Sequence, residues 1–282
     1  MEQRSVLVSG CSSGIGYATA LGLKARGYRV FAAARSAAAR DELWQKGLET
    51  VALDIANGES IRAAVTEVLD ACDGRLYGLF NNAGFGQPGA VEDLSRQALR
   101  EQFETNVFGT HELTHYVLPA MRRQGLGRII QNSSVLGFIA MPYRGAYIAS
   151  KHALEGLSDT LRLELAGSGI HVSLIEPGPI VSAFRANALQ AFRRHVDPTL
   201  SVHRATYEAV LARLENQTDE VPFTLPPEAV LKKVVQALES RRPRARYAVT
   251  APTHAFALLN RLLPTSWMDA LLKRAAGAEN RR

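Results

Sequence analysis

Two rhythms of apolar and polar positions alternate along the chain. Short apolar runs at 5–9, 29–34, 50–53, 76–80, 128–131 and 171–175 have the length and bounding of buried strands. Between them apolar side chains recur every three or four residues, the spacing of one helix face. This pattern predicts helices over 15–25, stopped at Gly27, across Ile61, Val65, Val68 and Leu69, and over a long stretch from 95 to 123. A further helix carries Tyr147 and runs on through Leu154, Leu157, Leu161 and Leu165, four leucines expected on one buried face. Strands that alternate with helices predict an α/β fold: a doubly wound parallel sheet, helices on both faces, and helical additions toward the C-terminus.

Composition narrows the class. At 282 residues the chain reads as one domain, 1–282, with 183–227 and 250–282 as attached helical segments. Hydrophobic residues make up 46% and charged residues 21%, as in ordinary globular proteins. No uncharged apolar run reaches the ~18 residues of a membrane-spanning helix. The N-terminus enters a strand pattern at once, which leaves no room for a signal peptide, and Cys11 and Cys72 lack disulfide or metal spacing. Both features predict a cytoplasmic protein. The net charge of +6 is uneven: residues 232–282 hold 11 Lys and Arg against 3 Asp and Glu, and residues 1–231 hold 22 against 24. No recognition motif accompanies the basic excess, so nucleic acid is not an expected partner.

Candidate chemistry begins in the turn from Ser9 through Gly10, Cys11, Ser12, Ser13, Gly14, Ile15 and Gly16, between the first strand and the first helix. Glycines there let backbone amides approach a pyrophosphate, and a helix N-terminus favours negative charge. That context predicts dinucleotide binding. The second strand runs into Arg35, where an acidic residue would hold the ribose 2′-hydroxyl of NAD and an arginine pairs with the 2′-phosphate of NADP. Farther on, Tyr147 and Lys151 lie four apart on one helix face. An ammonium within ~4–6 Å favours the phenolate, so Lys151 is expected to pull the Tyr147 hydroxyl down toward neutrality. Ser134 adds a hydroxyl at the end of a strand, where such sheets place ligands. Tyr143 has no lysine four residues on and is set aside as the acid.

Together these residues resemble the short-chain dehydrogenase/reductase family over roughly residues 5–185. Gly10, Gly14 and Gly16 match the family's cofactor turn, with Ser12, Ser13 and Ile15 between them. Asp54 and Ile55 match the pair that holds the adenine, and Asn81, Asn82, Ala83 and Gly84 match the motif that lines the cofactor and stabilises the sheet. Asn106 matches the asparagine of the proton relay, and Ser134, Tyr147 and Lys151 match the catalytic serine and the Tyr-x-x-x-Lys pair. Pro177 and Gly178, with Ile180 and Ser182 just beyond, stand where the family contacts the nicotinamide. Serine replaces the usual threonine at Ser9 and Ser182, and Ser13 stands where many NADP-using relatives carry a basic residue. The NADP expectation therefore rests on Arg35.

The resemblance implies a Rossmann-type sheet, NADP(H) as cofactor, and a dimer or tetramer paired through the two long helices. It implies hydride transfer to an aldehyde or ketone, with Tyr147 as general acid, Ser134 holding the oxygen, Lys151 lowering the tyrosine and holding the ribose, and Asn106 placing a relay water. The nearest activities are those of aldehyde and ketone reductases, retinal reductases and 17β-hydroxysteroid dehydrogenases. A non-catalytic NADP-binding sensor or scaffold is the alternative from another class.

Four stretches stay open. His111, Glu112 and His115 spell a zinc-protease signature, but they lie in the long helix after Asn106 and no metal site is expected. Asn132 and Asn216 begin glycosylation patterns that mean nothing without secretion. Phe184, Leu189, Phe192, Val196, Tyr207, Val210, Leu211 and Leu214 suggest either a lid over an apolar substrate or plain packing. In the tail, Phe256, Leu258, Leu259, Leu262, Leu263, Trp267, Met268, Leu271 and Leu272 are punctuated by Arg261, Lys273 and Arg274. Such a face either rests weakly on an anionic membrane surface or packs against the domain.

Overall fold

The computed structural model describes residues 3–215 and 222–277. The chain opens with β1 (Ser5–Ser9), α1 (Gly14–Ala25), β2 (Arg29–Ala34), α2 (Ala37–Gln45), β3 (Glu49–Ala52), α3 (Gly58–Ala71) and β4 (Leu76–Asn81). It continues through α4 (Arg96–Phe103), a π turn at Glu104–Gly109, α5 (Thr110–Gln124), β5 (Gly127–Asn132), α6 (Gly145–Glu164) and β6 (Ile170–Glu176). The remainder is α7 (Phe184–His195), α8 (Arg204–Glu215), α9 (Glu228–Glu239), β7 (Arg246–Ala248), α10 (Ala251–Leu262) and α11 (Thr265–Ala275).

The strands form one parallel sheet of seven in the order β3-β2-β1-β4-β5-β6-β7. The chain steps outward from β1 to β3, then returns to lay β4 on the other side of β1. Connections at the carboxyl ends of β1 and β4 therefore leave in opposite directions and open a crevice between them. Side chains alternate across the sheet. Val6 and Val8 face a core shared with Leu23 of α1 and with Val230, Val234 and Leu238 of α9. Leu7 faces the opposite core, with Ile61 and Val68 of α3 and Leu113 and Val117 of α5. Burial on both faces explains why the strands read as unbroken apolar runs.

Several expectations change. The sheet has a seventh strand, β7, whose three residues include Arg246 and carry no strand pattern of their own. The helix α2 buries only Leu43 and starts from Ser36, whose hydroxyl accepts from the Ala39 N–H at 3.3 Å. The long helix is broken by the π turn, where Gly109 packs so closely on the Ile55 carbonyl that a Cβ would collide with it. Of the four leucines expected on one buried face of α6, Leu154 and Leu165 are buried, but Leu157 is 45% exposed. With Phe108 and Leu163 it leaves apolar side chains bare on the long helices.

After β6, side chains from α7 and α8, among them Phe192, Tyr207, Val210 and Leu214, form a small core of their own with Ala90, Leu94, Ala98 and Ala146. Most of the tail's apolar residues also have a place: Phe256, Leu259, Leu263, Met268 and Leu272 pack on the short turn Val135–Gly137 and on Phe138 and Ile139. Leu258, Leu262 and Trp267 face outward. Among the described residues no helix is long and apolar enough to cross a membrane. Asn216 lies outside the described residues.

Candidate active site

The crevice begins at the turn after β1. Gly10 and Gly14 take the left-handed conformation, φ 72° and 56°, which a glycine adopts without strain. A Cβ on Gly16 would collide with the Gly10 carbonyl oxygen, so the helix start and the turn close on each other only with glycine there. Ser12 and Ser13 are exposed, and Ile15 packs on the core beneath them. Ser13 is the N-cap of α1, yet its side chain makes no capping hydrogen bond. The first amides of the helix are left to an outside acceptor, a fitting cradle for a pyrophosphate.

Asn82 ties this turn to the next strands. Its Nδ2 donates to the carbonyls of Ser9 at 3.0 Å and Gly10 at 3.1 Å, and its Oδ1 accepts from Asn132 Nδ2 at 2.9 Å. The Ser9 hydroxyl accepts from the Asn82 and Ala83 amides at 2.9 and 3.0 Å, so serine serves fully at that position. Asn132 is thus engaged inside the site, and its carbonyl accepts from Lys151 Nζ at 2.6 Å. Asn81 turns the other way: its Nδ2 donates to Thr114 Oγ1 at 2.8 Å and pins α5 to the sheet. Of the two roles expected for that motif, Asn81 serves the sheet.

Asn106 sits in the π turn, buried. Its Nδ2 donates to the Phe85 carbonyl at 3.0 Å and to Ser150 Oγ at 3.1 Å, while its Oδ1 accepts from the Phe85 amide at 3.1 Å and would crowd any Cβ on Gly84. It couples the loop after β4 to α6. Arg35 is exposed directly after β2. Asp54 Oδ1 accepts from the Ala56 amide at 3.1 Å, which shapes the turn after β3 and brings the buried Ile55 against α5.

The reacting groups face one another across the end of β5. Ser134 Oγ accepts from the Leu136 amide at 3.1 Å and is hydrogen-bonded to the Tyr147 hydroxyl. Lys151 Nζ lies 5.7 Å from the centroid of the Tyr147 ring. Burial pushes the Tyr147 hydroxyl up to about 12, with Ser134 opposing the rise. This corrects the expectation of a lowered tyrosine. Desolvation outweighs the charge of an amine that donates to Asn132 rather than to the phenol. Burial also brings Lys151 down to about 8, opposed by the charge of Glu155.

Beyond β6 the Pro177 carbonyl accepts from the Val135 amide at 2.8 Å, which anchors the Ser134 turn. Gly178 meets the Thr250 hydroxyl at the start of α10 so closely that a Cβ would not fit. Ile180 pairs with Leu225, and Ser182 crosses Gly14, where a Cβ would stand 2.8 Å from the serine Cβ. Phe184 completes the cover: its ring meets Tyr147 edge-on, centroids 5.3 Å apart, and leans on Gly86. Tyr143 points elsewhere, its hydroxyl 3.3 Å from His203 Nδ1. The His111 and His115 rings lie 6.5 Å apart, and Glu112 faces Gly58.

Four residues at the site were not anticipated. Phe184 was read only as part of an apolar face. The buried Glu155 and Glu176 and the half-buried Arg246 form a cluster behind Lys151, of which Glu155, four residues after the lysine, was the one visible in the spacing.

The family model for short chain dehydrogenase matches residues 4–192. An uncharacterized oxidoreductase, YbbO of Escherichia coli strain K12, is 46% identical over 271 residues, covering 96% of this chain and 94% of that protein. Human retinol dehydrogenase 8 is 36% identical over 259 residues, 86% of this chain and 80% of that one. Human 17-beta-hydroxysteroid dehydrogenase type 1 is 34% identical over 264 residues, 89% and 78%. Among solved structures, a short chain dehydrogenase/reductase from Burkholderia phymatum in complex with NAD superposes with a TM-score of 0.77 at 27% identity, covering 93% of this chain and 92% of that one. A variant of actinorhodin polyketide ketoreductase with NADPH gives 0.70 at 28% identity, 88% and 95%.

The buried carboxyls carry a pH dependence of their own. Burial, then the charge of Glu155, pushes Glu176 up from 4.5 to about 7. Between those values the folded chain keeps a proton that the unfolded chain has released, so this group makes stability fall as pH rises through the window. Glu176→Gln is expected to remove a pH-dependent loss on the order of 2 kcal/mol. The difference between wild-type and variant denaturant midpoints at pH 5 and pH 8 measures it, and parallel shifts at both would refute it.

Proposed function

The chain belongs to the short-chain dehydrogenase family, and on that premise we propose that it reduces an aldehyde or ketone of apolar character with NADPH. The observation that carries the reading is the Ser134–Tyr147–Lys151 arrangement at the mouth of the glycine turn. A bound nicotinamide dinucleotide supplies the hydride. Gly10, Gly14, Gly16 and the uncapped amides of α1 receive its pyrophosphate, Asp54 and Ile55 its adenine, and Arg35 the 2′-phosphate. Asn82, Ala83, Gly84, Pro177, Gly178, Ile180 and Ser182 close around the remainder of the dinucleotide.

Ser134 donates to the substrate oxygen and Tyr147 protonates it. A buried phenol stays protonated at neutral pH and so has a proton to give in reduction. As the proton leaves, the Lys151 ammonium stabilises the phenolate left behind, and Asn106 keeps α6 in place for the relay. Phe184, whose ring meets Tyr147, favours an apolar substrate body. Within 183–227, α7 and α8 serve as its lid on a single domain. Similarity to retinol dehydrogenase 8 and to the human 17-beta-hydroxysteroid enzyme supports the reverse direction, alcohol oxidation, as a second reading.

The bare Phe108, Leu157 and Leu163 suit pairing of two copies through the long helices into a dimer or tetramer. Two buried free cysteines suit a cytoplasmic location. Outward Leu258, Leu262 and Trp267 beside Arg261, Lys273 and Arg274 suit weak contact with an anionic membrane surface.

An NADPH-oxidation screen across aldehydes, ketones, retinoids and steroids tests the reading. Turnover of none, with NADPH still bound, would leave a sensor or scaffold. Tyr147→Phe is expected to lower kcat by about 10²–10⁴-fold with NADPH affinity kept, and undiminished turnover would sink the assigned acid. Arg35→Ser should erode the preference for NADPH over NADH by about tenfold or more, about 1.4 kcal/mol. An unchanged ratio of kcat/KM values would remove Arg35 from that role. Cosedimentation with phosphatidylserine vesicles at low salt tests the tail; a protein left wholly in the supernatant has no such surface.

A further inference from the structure

Behind the catalytic lysine lies a charged cluster with no part in the reaction as described above. Tyr147, Lys151 and Glu155 stand at successive turns of α6, on one face. Glu155 is only 7% exposed. Its Oε2 is 3.1 Å from Arg246 Nη2, while the same guanidinium reaches Asp159 Oδ2 at 2.6 Å and, through Nε, Glu176 Oε1 at 3.2 Å. Burial raises the Glu155 carboxyl, and the Ser133 hydroxyl and Arg246 oppose that rise. Arg246 comes from β7, so the shortest strand of the sheet delivers a cation that meets all three carboxylates.

Lys151 is 6% exposed, and its Nζ donates to the neutral Asn132 carbonyl. A buried ammonium without a nearby negative charge tends to shed its proton. The groups around it are few. From α6 it faces Tyr147 and Glu155, and at the end of β5 it meets the Asn132 carbonyl. Glu155 in turn faces Arg246 of β7, Asp159 of α6 and Glu176 of β6, and beyond these Arg162 bears on Asp159 and Arg261 on Glu176.

We propose that Glu155 is a positioning residue for the reaction: its carboxylate, fixed by Arg246 one turn beyond Lys151, keeps the lysine in its ammonium form against Asn132 and Tyr147. Burial alone works against that charge, and Glu155 is the influence that opposes burial. The catalytic consequence rests on the reductase reading; the charge on the lysine does not. With the carboxylate present the ammonium is ready to stabilise the Tyr147 phenolate after proton transfer. Without it a share of the lysine is neutral at the pH where the enzyme works.

The direct test follows the 13Cε resonance of Lys151 in lysine-labelled protein, assigned by its loss in Lys151→Met. In Glu155→Gln its titration midpoint is expected to fall by about one pH unit. In Glu155→Asp, which keeps the charge, it should stay close to that of the wild type. The alkaline limb of kcat/KM should move with the midpoint, so Glu155→Gln loses about tenfold against wild type at high pH and little at pH 6. A purely structural role would lower the rate evenly across pH. Arg246 keeps Asp159 and Glu176 as partners in the variant, and Glu155→Met offers a second neutral side chain of similar size. An unmoved midpoint in either folded neutral variant overturns the proposal. So does failure of both to fold while Glu155→Asp folds normally, since the residue would then be structural. The resonance titrates without substrate, so a wild-type protein that reduces nothing defeats the reductase reading and leaves this inference standing.

Discussion

The Asn82 side chain holds the site together. Three parallel strands end side by side, and nothing in a sheet ladder fixes how the loops beyond their ends lie on one another. One amide does so here: it donates to the carbonyls of Ser9 and Gly10 after β1 and accepts from Asn132 at the end of β5. Asn132 then takes the Lys151 ammonium on its carbonyl. The glycine turn and the lysine are thereby linked through a short chain of hydrogen bonds, each from a half-buried or buried group that would otherwise be unpaired. A shift of the turn is felt at α6, and a site that must place a dinucleotide against a phenol needs that coupling.

Burial, rather than the lysine charge, dominates the electrostatics of the site. Both Tyr147 and Lys151 are driven toward their neutral forms, the phenol upward and the amine downward. An ammonium can lower a phenol only if it is itself retained, and in a dry site retention requires a counter-charge. The cluster around Arg246 has that shape. Isolated buried carboxylates would be expensive; here Glu155 and Glu176, both buried and both raised by that burial, share one guanidinium with the half-buried Asp159. The cost in stability is concentrated where the chemistry benefits.

Much of the sheet was legible because both its faces are buried. Val6, Leu7 and Val8 serve two different cores yet read as one apolar run, and glycine positions such as Gly10 and Gly14 declare a turn that other residues take only with strain. The family motifs likewise placed Ser134, Tyr147, Lys151 and Asn106 near one another before any geometry was known. Other features depend on partners distant in sequence. β7 is a strand only because β6 offers it an edge, and α2 buries a single leucine. Leu157 falls on the apolar stripe by spacing, yet it is 45% exposed. The sign of the Tyr147 shift was misjudged for the same reason. Spacing along a helix reports which side chains are neighbours, whereas the depth of burial is set by Phe184 and the segments folded over them.

The division between a fixed base and a variable cover follows from how the crevice is built. The glycine turn, Asn82 and Ser134 stand at strand ends, with Tyr147 and Lys151 on α6 beside them, where a displaced residue would disturb the sheet. The roof comes from chain beyond β6: Ser182 over Gly14, Phe184 over Tyr147, the start of α10 against Gly178, and α11 behind the Ser134 turn. These segments pack on the site and on one another, so their sequence can change with little effect on the sheet. The family match ends at residue 192, inside α7, where this roof begins. Relatives with names as different as retinol dehydrogenase 8 and 17-beta-hydroxysteroid dehydrogenase type 1 match 86% and 89% of this chain, and one fold can carry different activities. In this chain that roof sets the Phe184 ring against Tyr147, centroids 5.3 Å apart.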